Sequence, residues 1–355
     1  MTRCFHIVAG ALALLLAVEV RSDTAVEPSE PPHFQNISIA LFDPGIPADP
    51  STHRQLGVFP EVRKIEAQFL PFVLRELLED SDQWGAVRVV PELAPGDELA
   101  VSGRIIASNG ERLEVELSAN DALGRQWLIN RYSMESGTGD PNSMLEISQS
   151  FKNVFRQFAD DLLVARRPKT PSELERNREV ALLRYASALV PSVYGDYLRR
   201  DAAGTISLNR LPAANDAMLD RIRRIRAFEY RFIDAIDEQY EALYSQTENT
   251  YNLWLRYQER LTRYRLDGER NRQNQQRSDR PGSYNAMMER YEQYKWLKLE
   301  EQNLRKWASG FRNEVDPTVV EVEGRVVELD GSLAQRYAEW RALLDALFEQ
   351  ETGLP

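Results

Sequence analysis

A chain of 355 residues, 43% hydrophobic and 28% charged, has the composition of an ordinary globular protein and the length for two cores. Its net charge of −11 argues against nucleic acid as a general partner, because duplex binders need clustered Lys and Arg to displace counterions. One cysteine, Cys4, and three histidines, His6, His33 and His53, leave no thiol and no imidazole beyond position 53. That counts against thiol nucleophiles, thiolate or zinc sites and Ser-His triads, so no catalytic, cofactor-binding or metal-binding residue is assigned and no cofactor is expected.

Residues 1–22 read as a secretory signal peptide. Arg3 supplies the positive start, Phe5 to Val18 is an uncharged apolar run, and Val20 and Ser22 suit a cleavage point before Asp23. The alternative is an uncleaved anchor, but the run is short of the ~20 residues of a membrane-spanning helix. No later stretch reaches that length, so no integral membrane span is expected after processing. Residues 23–35 are rich in Pro and Glu and read as a flexible leader.

Residues 36–43, "NISIALFD", predict a strand. From Pro60, Val62, Ile65, Phe69, Phe72 and Leu77 repeat at near-helical spacing, which predicts an amphipathic helix that Pro71 interrupts and kinks. "WGAVRVVPE", 84–92, is a short strand. Residues 99–133 then alternate. Leu113, Val115, Leu117 and Ala119 face one way and Arg112, Glu114, Glu116 and Ser118 the other, the pattern of a sheet with one wet face. Asn109-Gly110 predicts a type I′ hairpin with positive φ at both residues, and Asp121 to Gly124 predicts a type I turn. Asp140-Pro141 reads as a helix start, and a second helix runs to about Ala165.

The order β-α-β-β-β-β-α over 36–166 predicts one compact α/β module, mostly an antiparallel meander with two helices. "ISIALFD", "FLPFVLRELLED", "VRVVPE", the phrase Val101-x-Gly103-x-Ile105 and the Asp121-x-x-Gly124 turn together resemble an envelope-domain family. It comprises the curli-secretion channel lipoprotein, the penicillin-binding-protein activators and the N-terminal domain of the Tol-system β-propeller protein TolB. The resemblance implies an envelope location and a binding role without catalytic residues. The chain lacks the lipoprotein members' cysteine after the apolar run.

Residues 167–211 read as a linker helix, opened by a capping box at Thr170 and Glu173 and closed before Pro191, followed by an irregular segment with one short strand near Thr205 to Leu208. The second half, 212–355, is expected to be a long helical hairpin with a small β-hairpin at 318–332 and a final helix, started by a capping box at Ser332 and Gln335 and ending near Gln350. The fold class is α+β.

Within the hairpin, Tyr240, Tyr244, Thr247, Tyr251, Trp254, Gln258 and Leu261 form a heptad-like seam, read first as hairpin core and second as a ligand or partner face that includes Tyr251 and Trp254. The tip carries Arg263, Arg265, Arg270, Arg272, Arg277 and Arg280 against Asp267, Glu269 and Asp279, a basic spot on an acidic chain. An ordinary solvated tip competes with contact to an anionic envelope surface. Asp160-Asp161, or Asp43 with Asp49, could serve as a carboxylate pair, though 55 acidic residues make chance pairs common. Ser136 to Asp140 lacks the spacing of a phosphate loop.

Together these readings predict an exported, non-enzymatic periplasmic or outer-membrane-associated interaction module. It would bind another envelope protein through the hairpin or a sheet edge. A carboxylate-dependent glycan-acting enzyme and a homo-oligomeric structural subunit are the alternatives.

Overall fold

The structure, a computed structural model, describes residues 34–53, 56–109, 112–135, 144–239, 318–322, 325–329 and 331–352. The first of these build a five-stranded mixed sheet from β1 (Ile37–Ala40), β2 (Val87–Val90), β3 (Leu99–Ser108), β4 (Arg112–Asp121) and β5 (Gln126–Glu135). Its order is β2-β1-β3-β4-β5. β1 runs parallel to both neighbours, and β3, β4 and β5 form the expected antiparallel meander.

One face of the sheet is apolar by the alternation legible in the sequence. Leu113, Val115, Leu117 and Ala119 are fully buried there. They pack with Ile37, Val101 and Ile105 against α2 (Pro60–Glu79) and α3 (Met144–Arg166). Gly103 faces this core, and a Cβ on it would stand 2.5 Å from the Phe42 ring. The missing side chain admits Phe42, which stacks on Phe155 of α3.

α2 runs unbroken through Pro71, where an interruption was expected. Proline lacks the N–H that would bond the carbonyl four residues back. That carbonyl, on Ala67, accepts the Phe42 N–H at 2.9 Å instead. The loss inside the helix thus becomes a bond between helix and sheet.

The turns differ from expectation in one detail. Asn109 occupies the first turn position and not a positive-φ one, since among the described non-glycine residues only Asp82 has positive φ. Its N–H donates to Arg112 O and its Oδ1 accepts the Arg112 N–H at 2.8 Å, so these bonds join the end of β3 to the start of β4. At the second turn, Asp121 O accepts the Gly124 N–H at 2.9 Å, and Gly124 has φ +80°. Asp121 also accepts from Arg125 N, Arg125 Nε and Trp127 Nε1.

Helix α4 (Pro171–Leu189) opens with the expected reciprocal capping box at Thr170 and Glu173. It is stitched to the sheet by Asn177, which is fully buried. Asn177 Nδ2 donates to Glu98 O and Gln35 Oε1, and its Oδ1 accepts the Ala122 N–H. After α4 come α5 (Pro191–Tyr194), a single 3₁₀ turn and a hairpin of β6 (Leu198–Arg200) and β7 (Ile206–Leu208). The sequence indicated β7 alone; its partner β6 falls in the stretch read as irregular.

Residues 217–239 form helix α6. The expected hairpin of β8 (Thr318–Val322) and β9 (Arg325–Leu329) precedes α7 (Leu333–Thr352), whose start carries the Ser332 and Gln335 box. The long helical hairpin expected over 240–317 lies outside the described residues. α4, α6 and α7 share a second core with Val90 of β2 and with Leu41 just beyond β1, so they cover the β2 end of the sheet's second face. Over β3 to β5 that face carries Ser102, Arg104, Glu114, Glu116, Ser118, Ile129 and Arg131, none of them buried. The described residues belong to one compact unit and have an α+β architecture.

Candidate functional site

The residues singled out in the sequence, Arg263, Arg265, Arg270, Arg272, Arg277, Arg280, Tyr251 and Trp254, lie outside the described residues. The candidate carboxylate pairs are engaged separately. Asp43 pairs with Arg104 at 3.3 Å and accepts the Gly45 N–H. Asp49 accepts the Ser51 N–H at the start of the four-residue helix α1 (Pro50–His53), a bond that holds its carboxyl below the usual range. Asp160 is exposed on α3, and Asp161 accepts the Tyr132 hydroxyl at 2.8 Å. Among the described residues no group of His, Cys, Asp and Glu is placed to hold a metal, and no helix is long and apolar enough to cross a membrane.

Three surfaces remain. The first is a cleft of about 430 Å³ between α4 and α6, lined by Glu175, Arg178, Glu179 and Leu182 on one wall, Arg223, Arg226, Ala227 and Tyr230 on the other, and Glu98. Its inner charges are already matched. Glu98 accepts the Asn36 N–H and Nδ2 and faces Arg178 Nε at 3.6 Å. Arg226 donates to Gly96 O and lies over the Tyr185 and Tyr230 rings. Burial pushes the Tyr230 hydroxyl up to about 12, although Arg226 pulls the other way. The cleft therefore reads as a satisfied joint between helices.

The second surface is the outer edge of β2, which is sealed. All four residues of β2 are buried. Val89 turns its N–H to Asp237 Oδ2 of α6 at 3.1 Å, and its carbonyl accepts the Tyr337 hydroxyl of α7 at 3.2 Å. These two side chains supply the acceptor and donor that a neighbouring strand would supply. Beside them Arg88 makes a bidentate pair with Asp234, at 2.7 and 3.1 Å, under the Tyr230 ring. Burial opposes the charge of Arg88, but the bonds to Asp234 prevail and hold the guanidinium above its ordinary range. Asp237 is 3% exposed. Arg75 of α2 stands 3.7 Å from its Oδ2, and its Oδ1 has no hydrogen-bond partner among the described residues. Burial pushes its carboxyl up to about 7 against the pull of Arg75. Sequence reasoning missed this cluster; the available hint was an aspartate at helical spacing with the buried Ile233 and Ile236.

The third surface is the outer edge of β5. Only Tyr132 of its ten residues is buried. The direction of its backbone groups follows from β4. Both Arg112 N–H and C=O point at β3, because Asn109 engages both. Alternate residues of an antiparallel strand face opposite sides, so Leu113, Val115, Leu117 and Ala119 point at β5. They meet Met134, Tyr132, Asn130 and Leu128. Ile129, Arg131 and Ser133 are left with N–H and C=O pointing outward. The Arg131 N–H accordingly finds its bond on the side chain of the preceding residue, Asn130 Oδ1. Among the described residues β4 is the sole strand paired with β5.

Compared with models of known families, with curated proteins and with solved structures, the chain matches none.

Proposed function

We propose that the protein is an exported, non-enzymatic cell-envelope protein that acts as an interaction or scaffold module for another envelope protein. The observation that carries this reading is the unequal treatment of the two sheet edges. Side chains from two distant helices close the outer edge of β2, whereas β5 keeps a ten-residue edge with outward amides. An edge of that length, unpaired among the described residues, is a hazard unless a partner uses it, and adding a strand to such an edge is a common mode of recognition. The charged start and apolar run of residues 1–22 support export. The resemblance of 36–166 to the curli-channel, activator and TolB N-terminal domains supports an envelope role.

A photo-crosslinking side chain at Ser133 of the full chain, in the cells that produce it, tests this reading. The expected result is a discrete adduct in the envelope fraction, absent when the probe sits at the exposed Glu92 beyond β2. No adduct above that control, or fractionation of the chain with the cytoplasm, defeats the proposal.

A further inference from the structure

We infer that the β5 edge accepts an extended segment of another polypeptide as a sixth strand, one that carries an acidic residue opposite Arg131 and an apolar residue opposite Ile129. The inference rests on the reading above that this edge is the contact surface, and it adds the chemistry of the occupant.

The argument begins with the open face of the sheet. Asp43 bridges to Arg104, Arg104 lies opposite Glu116, and Glu116 lies opposite Arg131. The row alternates in sign, acid, base, acid, base, and directly opposed unlike charges stabilise strand pairing. It stops at the edge on a cation. Arg131 gives its Nε to Glu116 at 2.7 Å while its side chain stays 61% exposed, so most of its five donors remain turned to solvent. The neighbouring row runs Ser102, Ser118, Ile129 and ends on an apolar side chain that is 58% exposed.

Because Ile129 and Arg131 point their amides outward, an added strand places its residues directly opposite these two, on this same face. An acid continues the alternation at Arg131, and an aliphatic side chain two positions away covers Ile129. A second copy of the chain fits less well. An antiparallel pairing that sets Arg131 against the partner copy's Glu135 carries Ile129 past the end of the described strand.

The test pans a displayed library of random peptides against the full chain and against the triple swap Arg104→Glu, Glu116→Arg, Arg131→Glu, which keeps opposite charges facing across β3, β4 and β5. The natural chain is expected to enrich peptides with Asp or Glu two positions from Val, Ile or Leu. The swapped chain is expected to enrich Lys or Arg at the same position. Enriched peptides should bind Ser133→Pro at least about tenfold more weakly, since proline removes one outward N–H and leaves the β4 ladder intact. An unchanged melting temperature for that variant establishes that it folds. The inference is overturned if no peptide is enriched, if the swap does not invert the charge, or if Ser133→Pro binds equally well. Light scattering on the purified chain should give a monomer; a dimer broken by Ser133→Pro assigns the edge to a second copy and also overturns it. A cross-link at Ser133 without charge inversion sinks this inference alone, whereas a missing cross-link sinks the reading beneath it.

Discussion

β2 and β5 bound the same sheet, yet one is walled in and the other is wet. β2 has four residues, all buried, and its outward Val89 groups are met by Asp237 and Tyr337, 148 and 248 positions away in sequence. β5 has ten residues and a single buried one, and the outward N–H of Arg131 is met only by the neighbouring Asn130 side chain. Burying an edge obliges the fold to supply a partner for each polar group, because an unmet buried amide or carbonyl costs about 1–3 kcal/mol. Leaving an edge in water carries no such demand, and it keeps the backbone available for recognition. The contrast thus separates a part of the molecule committed to internal stability from a part available to others.

The strongest way to break the contrast is to remove the wall. Trp340 of α7 is 1% exposed and stacks on Phe232 of α6 at 4.7 Å. Trp340→Ala is expected to lower the unfolding free energy by about 3–5 kcal/mol, the usual cost of truncating a buried aromatic. Denaturant titration measures that loss. Hydrogen exchange should report the Val89 amide losing protection while the amides facing inward between β4 and β5 keep theirs.

How much of this was legible in the sequence follows from range. The alternation of Leu113 to Ala119, the Asp121 to Gly124 turn and the caps at Thr170 and Ser332 are local, and each formed as its residues dictate. The bond from Phe42 to Ala67 was invisible, because nothing around Pro71 says which distant donor takes the freed carbonyl. β6 is three residues with two exposed arginines, a strand only by virtue of pairing with β7. The open edge was half legible. "QWLINRYSME" reads as a strand, but its place at the rim depends on β1 pairing with β3 and β2, leaving β5 with β4 alone among the described strands, a non-local choice. The arginine-rich tip and the aromatic seam drew attention because they stand out in composition. The edge of β5 does not stand out, since its recognition groups are backbone amides common to every residue.

Two smaller changes probe the seal itself. Asp237 has a carboxyl raised by burial to about 7 in the folded chain, above the value near 4 of an unfolded aspartate. The folded state therefore holds more protons between those values, and stability falls as pH rises through that window. The contribution is fully present below about pH 4 and lost above about pH 7. Asp237→Asn keeps an acceptor for Val89 without a titrating group. It is expected to gain on the order of 2 kcal/mol relative to the natural chain near pH 8, and to flatten this part of the pH profile. Equal pH profiles for the two chains would refute this assignment of Asp237. Tyr337→Phe removes the donor to Val89 C=O and is expected to cost about 1–2 kcal/mol at any pH from 5 to 8, read as a shift in denaturant midpoint at constant slope.

The smallest expected effect on stability lies at β5, and it is the most informative about function. Arg131→Ala deletes an exposed ion pair with Glu116, and such pairs contribute little to folding in water. Its melting temperature should match that of the natural chain, in contrast to every change at the β2 seal. Its affinity for an acidic edge-binding peptide should nevertheless fall, and raising the salt should weaken the natural chain toward the variant, because the attraction lost is between exposed charges. A variant that melts early would mean that Arg131 is tied into the sheet more firmly than its exposure implies. One that melts normally and binds normally would move the recognition determinant away from this side chain and onto the backbone of the edge alone.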